Sequence, residues 1–264
     1  MRSIFALFLL VVFSTAHARE PSVYVYNETT DRIEYQRNST EYRSIASITK
    51  LMTAMVALDH SKDLFRRLPL NTTVKSNLPR GSYTRQELFD AMLVRSDNAA
   101  AETLAADYPG GRKEFIWRMN QQAKDWGINA VFRDPTGLHP GNMATAGDVG
   151  HLAVYAAGYW VIRDASVKKT VAFERKFKKK LRKIQLNNTN RPLLMEFDEI
   201  IASKTGFTNP AGYCVALVVE HQKQRRVIVV LGERNKARRT DTVQDIMYNH
   251  VLDQNLQDPK YINN

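Results

Sequence analysis

The sequence predicts a mixed α/β domain of the α+β kind, an antiparallel sheet flanked by helices with a helical lobe inserted between the strands. Three observations predict it. β-Prone runs lie near both chain ends, helical periods fill the middle, and no repeat or Gly/Ser-rich linker divides them. Composition agrees: the 264 residues are 44% hydrophobic and 25% charged, which excludes a collagenous, low-complexity or disordered chain and allows a real core. A mean hydropathy of −0.39 excludes a polytopic membrane protein.

The first residues stand apart from the fold. Met1-Arg2-Ser3 is a short basic start, Ile4 to Phe13 is wholly apolar, and Ala16-His17-Ala18 is a small-x-small site. That is the three-part pattern of a secretory signal peptide over residues 1–18, leaving a single domain over residues 19–264. An apolar stretch this short reaches about 15 Å as a helix, half of a bilayer core of about 30 Å, so a membrane anchor is the weaker reading. In an exported chain the lone Cys214 has no intramolecular partner; its place in the run Tyr213 to Val219 reads as a buried strand position.

Val23 to Tyr26 and Arg32 to Gln36 read as a hairpin around Glu28-Thr29-Thr30-Asp31. Ile48, Leu51, Met52, Met55 and Val56 then mark one face of a buried helix. Thr84 with Glu87 forms a capping box for a second helix. A further helix covers roughly Arg112 to Trp126 and stops at Gly127; Thr145 with Asp148 opens one towards Gly158. Three strands are expected at Ile200 to Phe207, Tyr213 to Glu220 and Arg225 to Gly232, and a closing helix carries Val243, Ile246, Met247, His250 and Val251. The inserted lobe is placed at roughly residues 60–190.

Net charge +11 points to an anionic partner: nucleic acid, acidic lipid or acidic wall polymer. Export argues against nucleic acid. The densest charge is Lys168 to Lys183, nine Lys or Arg in sixteen positions; its apolar residues are partly two-residue spaced, which suggests a charged hairpin. A solvated lobe surface is the plainer reading, electrostatic capture of anionic polymer the sharper one. His60, His139, His151, His221 and His250 show no ligand spacing, so no metal site and no cofactor is expected.

Three motifs carry chemistry. Ser47-Ile48-Thr49-Lys50 opens the first long helix, where residues three apart share a face and the Lys50 amine can reach the Ser47 hydroxyl. A serine needs an adjacent base to become a nucleophile, and a lysine of lowered pKa can be that base. Ser96-Asp97-Asn98, at a helix break, offers a second hydroxyl and an amide; Lys204-Thr205-Gly206, on a strand, offers a cation, a hydroxyl and a residue that lets substrate approach the backbone. An S-x-x-K is expected about once by chance in such a chain, and a second copy, Ser166 to Lys169, is taken as chance. S-D-N and K-T-G are each expected roughly 0.05 times, so all three in this order form a strong signal.

Together they are the signature set of penicillin-binding proteins and class A β-lactamases. With the stretches Arg43 to Ala54, Tyr108-Pro109-Gly110-Gly111, Pro135-Thr136-Gly137-Leu138 and Lys204 to Asn209, the mature chain resembles the D-alanyl-D-alanine carboxypeptidase and endopeptidase family of low-molecular-mass penicillin-binding proteins, nearest its soluble endopeptidase branch. Ala144 departs, where that family usually has serine. The resemblance implies a β-lactamase/DD-transpeptidase-like fold and an enzyme acting on peptidoglycan stem peptides in the periplasm, with β-lactams as acylating inhibitors. It implies Ser47 as acylated nucleophile, Lys50 as general base, Ser96 and Asn98 relaying protons and holding the substrate amide, and Lys204 keeping Lys50 deprotonated by repulsion. The backbone N–H groups of Ser47 and Phe207 would form the oxyanion hole beside Gly206. Thr205 and Arg239 would meet the substrate carboxylate, with Arg238 a near-equal candidate; the plainer reading of Arg239 is a solvated residue ahead of the last helix.

The alternatives are a carboxypeptidase, a serine β-lactamase and a non-catalytic wall-binding protein. Against the β-lactamase, the only glutamates between Ser96 and Thr145 are Glu102 and Glu114, neither with the asparagine companion of a water-activating loop. The polar stretch Gln254 to Asn264, with Pro259, leaves no extra C-terminal domain or amphipathic anchor, as expected of the endopeptidase branch.

Overall fold

The computed structural model describes residues 20–71, 73–177 and 180–252; the expected leader and polar tail lie outside the described residues. Strands β1 (Ser22–Asn27) and β2 (Arg32–Arg37) form the expected hairpin. After β3 (Arg43–Ser44), a 3₁₀ turn over Ala46–Thr49 leads into α1 (Lys50–His60). There follow β4 (Arg67–Pro69), β5 (Ser82–Thr84), α2 (Arg85–Val94), α3 (Asn98–Ala106) and α4 (Gly111–Asp125). Next come β6 (Ala130–Val131), β7 (Met143–Ala144), α5 (Ala146–Ala157), α6 (Trp160–Val167), β8 (Thr170–Phe177), β9 (Lys180–Asn187) and α7 (Arg191–Glu196). The chain closes with β10 (Ile200–Thr208), β11 (Gly212–His221), β12 (Gln224–Glu233) and α8 (Lys236–Ile246).

The main sheet is antiparallel in the order β10-β11-β12-β1-β2. Its central strands are apolar on both faces because both are covered. Cys214, Ala216, Val218, Val227 and Val229 join the core beneath α1 and α5, whereas Val215, Leu217, Ile228 and Val230 pack with Val243, Ile246 and Met247 of α8 and the π-helical turn that extends it. The closing helix therefore begins seven residues before Val243, with Asn235 accepting from the Arg238 N–H at 2.9 Å as its cap.

Local signals place the other helices. Thr84 and Glu87 exchange the two bonds of a capping box, at 3.2 and 2.8 Å. Thr145 accepts from the Asp148 N–H at 3.1 Å to start α5, and α4 ends before Gly127, whose φ is +67°. Helix α1 is the expected buried helix, and its burial extends beyond that one apolar face to every residue from Lys50 to Leu58. Within the segment expected as the inserted lobe, α5 lies directly on the sheet, with Gly150 so close to the Tyr24 ring that a Cβ there would lie 2.9 Å from it.

The basic segment is the expected hairpin, β8 paired with β9. Val171, Phe173 and Leu186 are buried, while Arg175 pairs with Glu87 and Lys168 with Asp90 and Asp164 at 3.0 and 2.7 Å. Part of its charge is thus neutralised within the fold. Cys214 is fully buried in β11, and burial pushes its thiol up to about 11.

Candidate active site

The three motifs converge where the start of α1, the α2–α3 junction and the edge strand β10 meet. Ser47 lies in the 3₁₀ turn, whose three residues per turn eclipse positions i and i+3. Lys50 Nζ consequently sits 2.9 Å from Ser47 Oγ. The same amine lies 2.8 Å from Asn98 Oδ1 and 2.5 Å from the Thr136 carbonyl. Opposite, Lys204 Nζ is 3.1 Å from Ser96 Oγ and donates to the Thr205 carbonyl at 2.7 Å.

Both lysines are buried. Desolvation lowers Lys50 to about 7, against an opposing pull from Asp134, Asp97 and Glu102. Burial also holds Lys204 well below the usual lysine range, and repulsion from Lys50 and Arg239 lowers it further. Desolvation is therefore the main cause at Lys50, and repulsion between the two buried amines disfavours charging both at once.

Two backbone positions carry strain. Ala46, next to Ser47, has φ +45° and Ser96 has φ +62°, left-handed conformations that cost a side-chain-bearing residue about 1–2 kcal/mol. Asp97 holds the second in place. Its buried carboxylate caps α3 at the Ala100 N–H (2.9 Å) and accepts from Ser76 Oγ and the Asn77 N–H (2.5 Å). Ser96 and Asn98 thus flank a fixed anchor.

Sequence reasoning missed the turn around Asp134 as part of the site. The Asp134 carboxylate accepts from Thr136 Oγ1 and from the N–H groups of Thr136, Gly137 and His139 at 2.6–3.0 Å. Burial alone would raise its pKa, but these bonds outweigh burial and hold it below the usual carboxylate value. The turn is clamped to α1 by Thr53, which donates to the Pro135 carbonyl at 2.7 Å, and by Asn142, which donates to Thr49 Oγ1 at 3.0 Å. Gly137 has φ +83°, and a Cβ there would lie 1.9 Å from the Ala46 carbonyl oxygen. Asp-Pro-Thr-Gly is a turn signature, so the signal was present, but nothing local says what the turn touches.

Gly206 also has a reason within the fold. Its missing Cβ faces Ile45 O at 2.9 Å and Ser47 N at 3.1 Å, so the glycine lets β10 approach the chain's own Ser47 turn. Thr205 Oγ1 donates to Thr189 Oγ1 at 2.6 Å, a partner the sequence did not suggest. Phe207, the next residue on the edge strand, is half exposed. Arg239 lies inside α8, buried, and not ahead of the helix in solvent; its Nε and Nη2 have no hydrogen-bond partner among the described residues. Arg238 is exposed, so burial separates the two candidates. Of the glutamates weighed for water activation, Glu102 is bonded by Arg112 at 2.8 and 3.2 Å and Glu114 is exposed on α4. The second S-x-x-K does not assemble: Ser166 bonds to backbone and Lys169 is half exposed.

A serine hydroxyl against a buried lysine, on the wall between an antiparallel sheet and a cluster of helices, defines the class of penicillin-recognising serine peptidases. The chain belongs to the D-alanyl-D-alanine carboxypeptidase family, whose sequence profile matches residues 13–235. It is 34% identical over 227 residues to a D-alanyl-D-alanine endopeptidase of Pseudomonas aeruginosa, covering 81% of this chain and 72% of that protein. To a D-alanyl-D-alanine endopeptidase of Escherichia coli it is 35% identical over 230 residues, with the same coverage of each. Among solved structures, a penicillin-binding protein of Listeria monocytogenes with ampicillin bound superposes with a TM-score of 0.77 at 27% identity, covering 86% of this chain and 95% of that one. No helix among the described residues is long and apolar enough to cross a membrane.

Proposed function

We propose that the chain is a periplasmic D-alanyl-D-alanine endopeptidase, exported by a leader over residues 1–18, that cleaves peptidoglycan cross-links through an acyl-enzyme on Ser47. The observation that carries the mechanism is the surroundings of Lys50. Two of its three neighbours, Asn98 Oδ1 and the Thr136 carbonyl, can only accept. A neutral amine has two N–H groups, which satisfy those two acceptors and leave its lone pair facing Ser47 Oγ at 2.9 Å. With a pKa near 7, that lone pair is available at neutral pH.

The steps follow from this arrangement. Ser47 Oγ attacks the D-alanyl carbonyl as its proton passes to Lys50, and the backbone N–H groups of Ser47 and Phe207 receive the oxyanion. Ser96, held by Lys204, passes its proton to the departing amine and regains one from Lys50, which is thereby neutral again. Lys50 then takes a proton from the water that attacks the ester and returns it to Ser47 Oγ as the acyl group leaves. Asn98 holds the substrate amide, the substrate lies along the unpaired edge of β10, and Thr205 with Arg239 receives the leaving half's carboxylate. A buried guanidinium with two unpartnered nitrogens fits that last role.

The relatives named endopeptidases support cleavage of cross-links over trimming of terminal D-alanine. Penicillins would acylate Ser47 in the same way. Contact between the β8–β9 hairpin and anionic wall polymer rests on its charge alone. The test is incubation with cross-linked muropeptide dimers and mass spectrometry of the products. Monomers released from dimers support the reading; intact dimers beside pentapeptides trimmed of D-alanine make the enzyme a carboxypeptidase.

A further inference from the structure

Between β9 and α7 the chain makes a short loop, Asn188-Thr189-Asn190, that belongs to none of the three motifs yet is bonded beside two of them. Its flanking asparagines are buried. Asn188 Nδ2 donates to the Ser166 and Lys168 carbonyls, both at 2.9 Å, and Asn190 Nδ2 donates to Ser203 Oγ at 2.9 Å, one residue before Lys204. The Thr189 N–H donates to the Val94 carbonyl at 3.0 Å, two residues before Ser96. The loop is therefore pinned to both walls of the site, and of its three residues only Thr189 is half-buried. Thr189 Oγ1 accepts from Thr205 Oγ1 at 2.6 Å, and among the described residues nothing accepts the proton of Thr189 itself.

This pair has one proton to give. Two hydroxyls carry two protons, and a separation of 2.6 Å places one of them between the oxygens. Thr205 is 5% exposed, whereas Thr189 is half-buried, so the proton left for a ligand is the one on Thr189. A carboxylate can only accept, and a hydrogen bond to an anion is about twice as strong as one to a neutral group. We propose that Thr189 is a substrate-binding residue: its hydroxyl donates to the carboxylate of the leaving half beside Arg239, while Thr205 holds the Thr189 oxygen in place. The inference rests on the Ser47 reading above, which sets that carboxylate against Thr205. It adds the hydroxyl that recognises the anion, and with it a preference for leaving halves that carry one. Because the backbone of Thr189 is bonded two residues before Ser96, one segment aligns the seat of the carboxylate with the donor to the departing amine.

The experiment uses two synthetic cross-link peptides that differ only at the carbon bearing the departing amine, which carries a carboxylate in one and a hydrogen in the other. Both kcat and KM are measured on each, and the wild type should favour the carboxylate peptide. Thr189→Val keeps the backbone bond to Val94 and nearly the same side-chain volume. It should lower kcat/KM on the carboxylate peptide about tenfold, the lower end for a hydrogen bond to a charged group, and match the wild type on the other. Thr189→Ser should restore the preference, and Thr189→Ala repeats the comparison should Thr189→Val fail to fold. Equal wild-type rates on the two peptides, an equal loss on both in Thr189→Val, no loss on either, or a Thr189→Ser enzyme as poor as Thr189→Val overturns the assignment while leaving Ser47 catalysis intact. A wild type that cleaves neither peptide overturns the catalytic reading and the inference with it.

Discussion

The chain contains the same four-residue pattern twice, and the two copies behave differently. In Ser47 to Lys50 the amine and hydroxyl meet at 2.9 Å, with the lysine fully buried. In Ser166 to Lys169 the serine lies in the last turn of α6, Lys168 leaves the helix with ψ 121°, and Lys169 is half exposed with Asp198 at 3.8 Å. The buried Ser166 hydroxyl instead accepts from the Ser203 N–H at 3.2 Å, bracing the strand that carries Lys204. Spacing is identical; backbone and desolvation are not. A tight turn eclipses the pair, and burial lowers the amine until it can act as a base.

The largest effect expected from breaking this contrast is at the serines. Fluorescent penicillin should label the wild type and Ser166→Ala and leave Ser47→Ala dark; label on Ser47→Ala would remove it as nucleophile. Next are the lysines. Lys50→Arg should lose about 10²–10⁴-fold in acylation rate, because arginine stays protonated, while Lys169→Arg should match the wild type. A Lys50→Arg enzyme at near wild-type rate would sink the base assignment.

Gly137→Ala tests the turn that seats the Lys50 pair. A Cβ 1.9 Å from the Ala46 carbonyl must displace the nucleophile's own backbone, and a displacement near 1 Å can cost about 10²-fold. The expected result is acylation reduced to that extent, in a protein that still folds by circular dichroism; unchanged kinetics would show that the turn does not set the site. The smallest effect is on stability. Ser166→Ala strands the buried Ser203 N–H and should cost about 1–3 kcal/mol in chemical denaturation, whereas Lys169→Ala should change stability little.

The same contrast explains what was legible in the sequence. The terminal hairpin, the Thr84–Glu87 capping box and the three closing strands carry local signals, as do the motifs that supply Ser47, Lys50, Ser96, Asn98 and Lys204. Thr136 and Thr189 were not legible as site residues, because each acquires its meaning from a partner distant in sequence. Gly206 was read for its backbone freedom, but only the packed strand shows which backbone it admits. Burial of Arg239 depends on where α8 begins, and the apolar period from Val243 onwards marks the later part of that helix.

The most direct measurement is the second-order rate of penicillin acylation against pH. Only the free amine of Lys50 can take the Ser47 proton, so the active fraction rises with pH and levels off above the amine's pKa. With Lys50 lowered to about 7, the profile should climb from pH 5, pass an apparent midpoint near 7 and be flat by about 9. A rate already flat from pH 5, or one still climbing towards the ordinary lysine value of about 10.4, would contradict a desolvated Lys50 as the base.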